Sequence, residues 1–227
     1  MKGVFVLGSD TGVGKTFCAV RILRTLSDRG IRVGAYKPVA SGFQDHDAHS
    51  DPAMLWDAIG RMSSLERVCP QRFSAPLAPP QAARWEGRQV ELEVIREGMR
   101  WWHKNCDWLL IEGAGGVLSP ITEDLTCADL ALEFQQPVLL VVRNRLGAVN
   151  QALLSLTALC ARGVPCCGIL LNRFPEDRET EDPSLLTNAQ WIQRFQPDVP
   201  IFTSVDQWCT SLLAGEVART MAGGDMS

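Results

Sequence analysis

Lys15 and Thr16 close the stretch Gly8-Ser9-Asp10-Thr11-Gly12-Val13-Gly14 and have the types and order needed to hold phosphate. Glycines let the backbone curl until successive N–H groups face one anion. The start of a helix adds its positive dipole end. Lys15 would reach the β- and γ-phosphates of a nucleotide, and the Thr16 hydroxyl would ligate Mg²⁺. The strict pattern G-x-x-x-x-G-K-[ST] asks for glycine at position 9, where this chain has Ser9; its early glycine is Gly8. A Gly-Lys-Thr tripeptide alone also occurs at ordinary strand–turn–helix junctions. Here it lies between a buried-strand pattern, Val4–Leu7, and an amphipathic one, Thr16–Ser27, which is the setting a nucleotide site needs.

A second cation and two carboxylates recur at similar junctions. Lys37 leaves the apolar run Val33–Tyr36 at its carboxyl end and is followed by Pro38, then by Ser41 and Gly42. It reads either as a solvated edge residue or as a partner of the phosphate loop, and the polar, close-approach loop favours the second. Glu112 follows Leu110 and Ile111 and precedes Gly113, Ala114 and Gly115. A carboxylate after buried aliphatics is costly unless it meets a cation, so Glu112 could hold Mg²⁺ opposite Thr16; the alternative is a capped strand end. The glycines would let the backbone approach phosphate or substrate. Asp51 could supply another oxygen, but ahead of Pro52 it reads equally well as a helix N-cap with proline at the first helical position.

These residues need elements to hold them. Val4–Leu7, Val33–Tyr36, Trp108–Ile111, Val138–Val142 and Cys167–Leu171 are short continuous apolar runs, the pattern of parallel strands covered on both faces. Between them lie the amphipathic stretches Thr16–Ser27, Glu91–His103, Leu125–Phe134, Ala148–Ala161 and Leu185–Phe195. This alternation predicts an α/β fold: one doubly wound, mostly parallel sheet with helices on both faces. Ligands of such sheets bind at the carboxyl ends of the strands. Ser41–Ser50, Phe73–Pro80 and the acidic Phe174–Pro183 read as loops, and residues 222–227 as a frayed tail of a single domain spanning 1–227.

With 227 residues, 46% of them hydrophobic, the chain can bury a full core. A net charge of −4 argues against nucleic-acid or anionic-membrane partners. The eight cysteines form no C-x-x-C pair, and the N-terminus runs straight into a strand pattern, so reduced thiols and a cytoplasmic location are expected.

Four segments, Gly8–Thr16, Tyr36-Lys-Pro-Val-Ala-Ser-Gly42, Glu112-Gly-Ala-Gly-Gly116 and Leu146-Gly-Ala-Val-Asn150, resemble the dethiobiotin synthetase family in order and spacing, as do Pro76-Leu-Ala-Pro79 and Asn172. The resemblance implies a P-loop enzyme that uses ATP and Mg²⁺ to close a cyclic urea on 7,8-diaminononanoate with CO₂ or bicarbonate, through a carbamate and a carbamic-phosphoric anhydride. It implies Lys37, Lys15 and Thr11 as catalytic residues, with Thr11, Ser41 and Asn150 at the diamine or its carbamate. It implies Thr16, Asp51 and Glu112 as Mg²⁺ ligands. Gly12, Val13, Gly14, Lys15, Thr16 and Phe17 would wrap the nucleotide phosphates. Gly113, Ala114, Gly115 and Arg173 would stand near the nucleotide, and Asn172 would face adenine. Leu146–Asn150 resembles the part that meets the neighbouring subunit's substrate in a homodimer.

Departures from that pattern fall mostly at the base-binding end. Gln151 and Pro80 stand where histidines are usual, Arg173 follows Asn172, and Thr203–Gln207 lacks the usual Gly-x-Ile-Pro run. Two other readings share the phosphate loop: a P-loop ligase for another substrate, and an ATPase switch of the MinD/ParA type. Such switches carry a second lysine inside the loop, whereas the second lysine here, Lys37, lies outside it.

Overall fold

The computed structural model describes residues 2–44, 47–174 and 182–215. Six strands form one sheet: β1 (Lys2–Gly8), β2 (Val33–Tyr36), β5 (Trp108–Gly116), β6 (Val138–Arg143), β7 (Cys166–Asn172) and β8 (Ile201–Phe202). Their order is β2-β5-β1-β6-β7-β8, and each neighbouring pair is parallel. The strands are therefore parallel throughout the described sheet, one step beyond the mostly parallel arrangement expected. Two further strands, β3 (Val39–Ala40) and β4 (Gln71–Arg72), pair with each other.

The helices are α1 (Lys15–Ser27), α2 (Asp51–Ala58), α3 (Leu65–Val68), α4 (Pro79–Trp85), α5 (Leu92–Asn105), α6 (Cys127–Glu133), α7 (Ala148–Cys160), α8 (Ser184–Phe195) and α9 (Val205–Leu213). Each long helix turns one stripe to the core. In α5 the buried residues are Ile95, Gly98, Met99 and Trp102, a spacing of three and four. This stripe lies on one face of β2. The Tyr36 hydroxyl donates to the Ile95 carbonyl at 2.8 Å, and a Cβ on Gly34 would meet the Trp102 ring at 2.6 Å. The chain runs from β1 to β2 on one side of the sheet centre and returns through β5 to β6 on the other. The carboxyl ends of β1, β2 and β5 thus open together, as a switch point requires.

Three local expectations need correction. Pro79 and Pro80 were placed in a loop but open α4, where a proline's missing N–H costs nothing. Asp51 is not an N-cap: Ser50 holds that position and Asp51 is the first helical residue, which leaves its carboxylate free to point elsewhere. Helix α9, not anticipated, is started by the Ser204 side chain, which accepts from the Gln207 N–H at 3.2 Å. The expected tail at 222–227 and the centre of the acidic segment, 175–181, lie outside the described residues. No helix among the described residues is long and apolar enough to cross a membrane.

Candidate active site

Gly12 and Gly14 take φ of 72° and 89°, left-handed values that let the loop after β1 turn back on itself. A side chain at Gly14 would also collide with the Asn172 amide, so the loop packs directly against the end of β7. Asn172 locks that contact by donating from Nδ2 to the Val13 carbonyl at 2.9 Å. Lys15 is buried, with Nζ 3.4 Å from the Asp10 carbonyl. Burial pushes its ammonium below the usual lysine range, against the pull of Glu112.

Thr16, on the first turn of α1, meets residues from two other elements. Its hydroxyl oxygen lies 2.8 Å from Asp51 Oδ1 and 2.9 Å from Glu112 Oε1. One proton can serve only one of them at a time. Lys37 enters from the end of β2, with Nζ 2.6 Å from Glu112 Oε1 and 3.0 Å from Asp51 Oδ2. Its own N–H is fixed to the Val68 carbonyl at 2.8 Å. Burial would lower the Lys37 pKa, but Glu112 and Asp51 outweigh it and hold the ammonium above its ordinary range. Burial likewise raises Asp51, and Lys37 and the Thr16 hydroxyl together reverse that to a net lowering. Glu112 is fully buried, and burial drives its carboxyl up while Lys37 opposes.

The Thr16, Asp51 and Glu112 oxygens form a hard-donor set of the kind that holds Mg²⁺ with one or two carboxylates and the rest of its shell from phosphate and water. Among the described residues Glu112 Oε2 is buried without a hydrogen-bond partner, and a cation would satisfy it. The residues present therefore fit the ion.

A cavity of about 400 Å³ gathers these groups: Thr11, Gly12, Gly14, Lys15, Thr16, Lys37, Ser41, Asp51, Ala114 and Gly115 all line it. A second, of about 380 Å³, lies on the other side of the loop and is lined by Phe17, Asn172, Arg173 and Thr203–Val205. A larger cavity of about 700 Å³ between α1 and α2, with Phe43 and Trp56 among its walls, is lined by neither Lys15 nor Lys37 and by neither Asp51 nor Glu112.

Three expected residues stand apart. Gly113 turns to the core, where a side chain would strike Leu7, so its glycine serves packing. The Val13 side chain is 4% exposed and part of the hydrophobic core, and its carbonyl accepts from Asn172. Asn150 is exposed on α7 and lines none of these three cavities. Gln151, which stands where the family usually has histidine, meets the phosphate loop, the Ser9 hydroxyl lying 3.5 Å from Gln151 Oε1. Phe174 lines the 400 Å³ cavity and was missed, since an aromatic two residues past a strand end carries no sequence signal of its own.

A family model described as an AAA domain matches residues 2–209. The chain is 38% identical to the ATP-dependent dethiobiotin synthetase BioD of Rhodopirellula baltica, over 97% of this chain and 94% of that protein. It is 44% identical to the protein of that name from Anaeromyxobacter dehalogenans over 88% of both chains, and 36% identical to one from a Caulobacter species over 98% and 96%. Among solved structures, the MinC:MinD cell division protein complex of Aquifex aeolicus matches with a TM-score of 0.53 at 11% identity, covering 100% of this chain and 98% of that one. That likeness speaks to the fold alone. By identity and coverage, the chain belongs to the dethiobiotin synthetase family.

Proposed function

We propose that the protein is an ATP-dependent dethiobiotin synthetase that closes the ureido ring of 7,8-diaminononanoate with CO₂. The observation that carries the reading is the cluster in which Lys37 joins Asp51 and Glu112 beside Lys15 and Thr16. It places two cations and a hard-oxygen set around one cavity, next to the segment Lys37–Gly42 that separates this family from other P-loop proteins.

The chemistry needs positioning and charge neutralisation more than covalent help. One amine takes up CO₂ as a carbamate, which Lys37, Thr11 and Ser41 would bind from the cavity wall. A carbamate oxygen then attacks the γ-phosphorus, displacing ADP. Lys15 would stabilise charge on the transferring group, and the backbone from Gly12 to Phe17 would hold the phosphates. The second amine attacks the carbamate carbon, expels phosphate and loses a proton. Thr16, Asp51 and Glu112 would hold Mg²⁺, which when bound neutralises phosphate charge. Phe17, Asn172 and Arg173 line the smaller cavity, where the base of ATP would lie.

The reading extends to a homodimer in which Asn150 and its segment reach a neighbour's substrate. It is supported by the exposure of Asn150 and by Leu146, which is 81% exposed at the head of α7. The test is ADP release with ATP, Mg²⁺ and bicarbonate, with and without the diamine, alongside mass detection of the cyclic urea. Diamine-dependent ADP release with matching dethiobiotin is expected. Hydrolysis that ignores the diamine would instead favour a nucleotide switch or a ligase for another substrate.

A further inference from the structure

Among the described residues, Phe174 is the one aromatic side chain lining the cavity that holds Lys15, Thr16 and Lys37. Its position is set from three sides. The strand end before it is pinned, since the Asn144 N–H donates to the Asn172 carbonyl at 2.7 Å and Asn172 is tied to Val13. The ring lies against the phosphate loop: a Cβ on Gly14 would come within 3.2 Å of Cζ. Behind it, the guanidinium of Arg143, the last residue of β6, sits 4.5 Å from the ring centroid, a cation–π contact.

We propose that Phe174 is a positioning residue that keeps water from the phosphoryl group in transit and so couples ATP cleavage to ring closure. The inference rests on the synthetase reading. Two nucleophiles compete for the γ-phosphorus. When the carbamate oxygen attacks, a new O–P bond forms as the bond to the ADP oxygen breaks, and the phosphate later leaves with the carbamate C–O bond. When water attacks, the same P–O bond breaks, the water proton passes to solvent, and ADP and inorganic phosphate appear without a cyclic urea. The other side chains named around this cavity are largely hydroxyls, lysines and a carboxylate, each able to hold a water by hydrogen bonds. A phenyl ring offers none, so the part of the cavity wall that it covers gives water no hydrogen-bond partner.

The experiment measures ADP and dethiobiotin together in the full-length protein supplied with ATP, Mg²⁺, bicarbonate and diamine. Wild type is expected to release one ADP per dethiobiotin. Phe174→Ala should release roughly two to ten ADP per dethiobiotin, because a cavity opened to water loses its protection against hydrolysis. Phe174→Leu should return the ratio close to one, and Arg143→Gln, which frees the ring from behind, should fall between. Arg143→Gln also carries the test should Phe174→Ala fail to fold. A ratio that stays at one in the alanine and Arg143 variants, whatever happens to KM or kcat, overturns the proposal and leaves the ring a shaping role only. A wild type that makes no dethiobiotin overturns the synthetase reading and this inference with it, an outcome distinct from the first.

Discussion

At the scale of single residues, the site is a balance of two buried lysines, the buried Glu112 and the half-exposed Asp51. Lys37 and Glu112 are 4% and 0% exposed and depend on one another. Removing one partner of such a pair strands the other, at a cost of about 3 to 5 kcal/mol. Lys37→Ala is therefore expected to abolish turnover while leaving ATP binding largely intact, and to lower the unfolding midpoint. Adding Glu112→Gln to it should restore stability without restoring activity. Calorimetric ATP titration, turnover and denaturant unfolding of wild type and the two variants check this together; a Lys37→Ala protein that keeps its saturated rate but loses ATP would remove Lys37 from the chemistry. Glu112→Gln alone keeps the shape and loses the charge. It should raise the Mg²⁺ needed for half-maximal rate by on the order of tenfold to a hundredfold. A rate profile across Mg²⁺ concentrations identical to wild type would take Glu112 out of the metal site.

At the scale of elements, α6 carries the most complete local signal. The Thr126 side chain accepts from the Asp129 N–H, and the Asp129 carboxylate accepts from the Thr126 N–H at 2.8 Å, a reciprocal capping box. Partial burial would raise Asp129, but the two Thr126 bonds and Arg162 outweigh it and hold the carboxyl below its usual range. A carboxyl more acidic in the folded than in the unfolded state adds stability that is present above its unfolded pKa and is lost as pH falls through the folded one. Thr126→Ala should thus cost about 1 kcal/mol near neutrality. The loss should hold down to about pH 4 and shrink only below it as Asp129 takes up its proton. Urea unfolding at several pH values measures this, and an unchanged midpoint at pH 7 would dismiss the box. The five main strands and five of the helices were legible because each is a continuous apolar run or a one-sided stripe. Strands β3 and β4 have two residues each and hold no such pattern. Pro79 and Pro80 misled because proline marks both loops and first turns, and only the burial of Ala82 and Ala83 behind them tells which. The site divides in the same way. Lys15 and Thr16 close a glycine-rich loop at the start of α1, and Lys37 and Glu112 directly follow apolar strand residues, so all four are conspicuous, whereas the roles of Asp51 and Phe174 arise from contacts across 35 residues and across β6 and β7.

At the scale of the whole molecule, the question is what the site lacks when the chain stands alone. Asn150 is exposed on α7 and lines none of the three cavities, and Leu146 beside it is 81% exposed. Packing among the described residues gives neither side chain a role. A two-fold dimer would give both one, since each copy could present the start of α7 to the other's cavity, and such a contact is necessarily mutual. The proposed homodimer therefore makes a prediction that no single chain could satisfy. Lys37→Ala and Asn150→Ala proteins should each be inactive or nearly so. When they are mixed and allowed to exchange subunits, half the dimers carry one copy of each. In such a dimer, one site has both defects, while the other has an intact Lys37 from its own chain and an intact Asn150 from its neighbour. Activity should return to about a quarter of the wild-type value, the share expected for random exchange between symmetric dimers. No recovery after verified exchange would place Asn150 outside the neighbour's site, and a monomer by light scattering at assay concentration would end the shared-site reading outright.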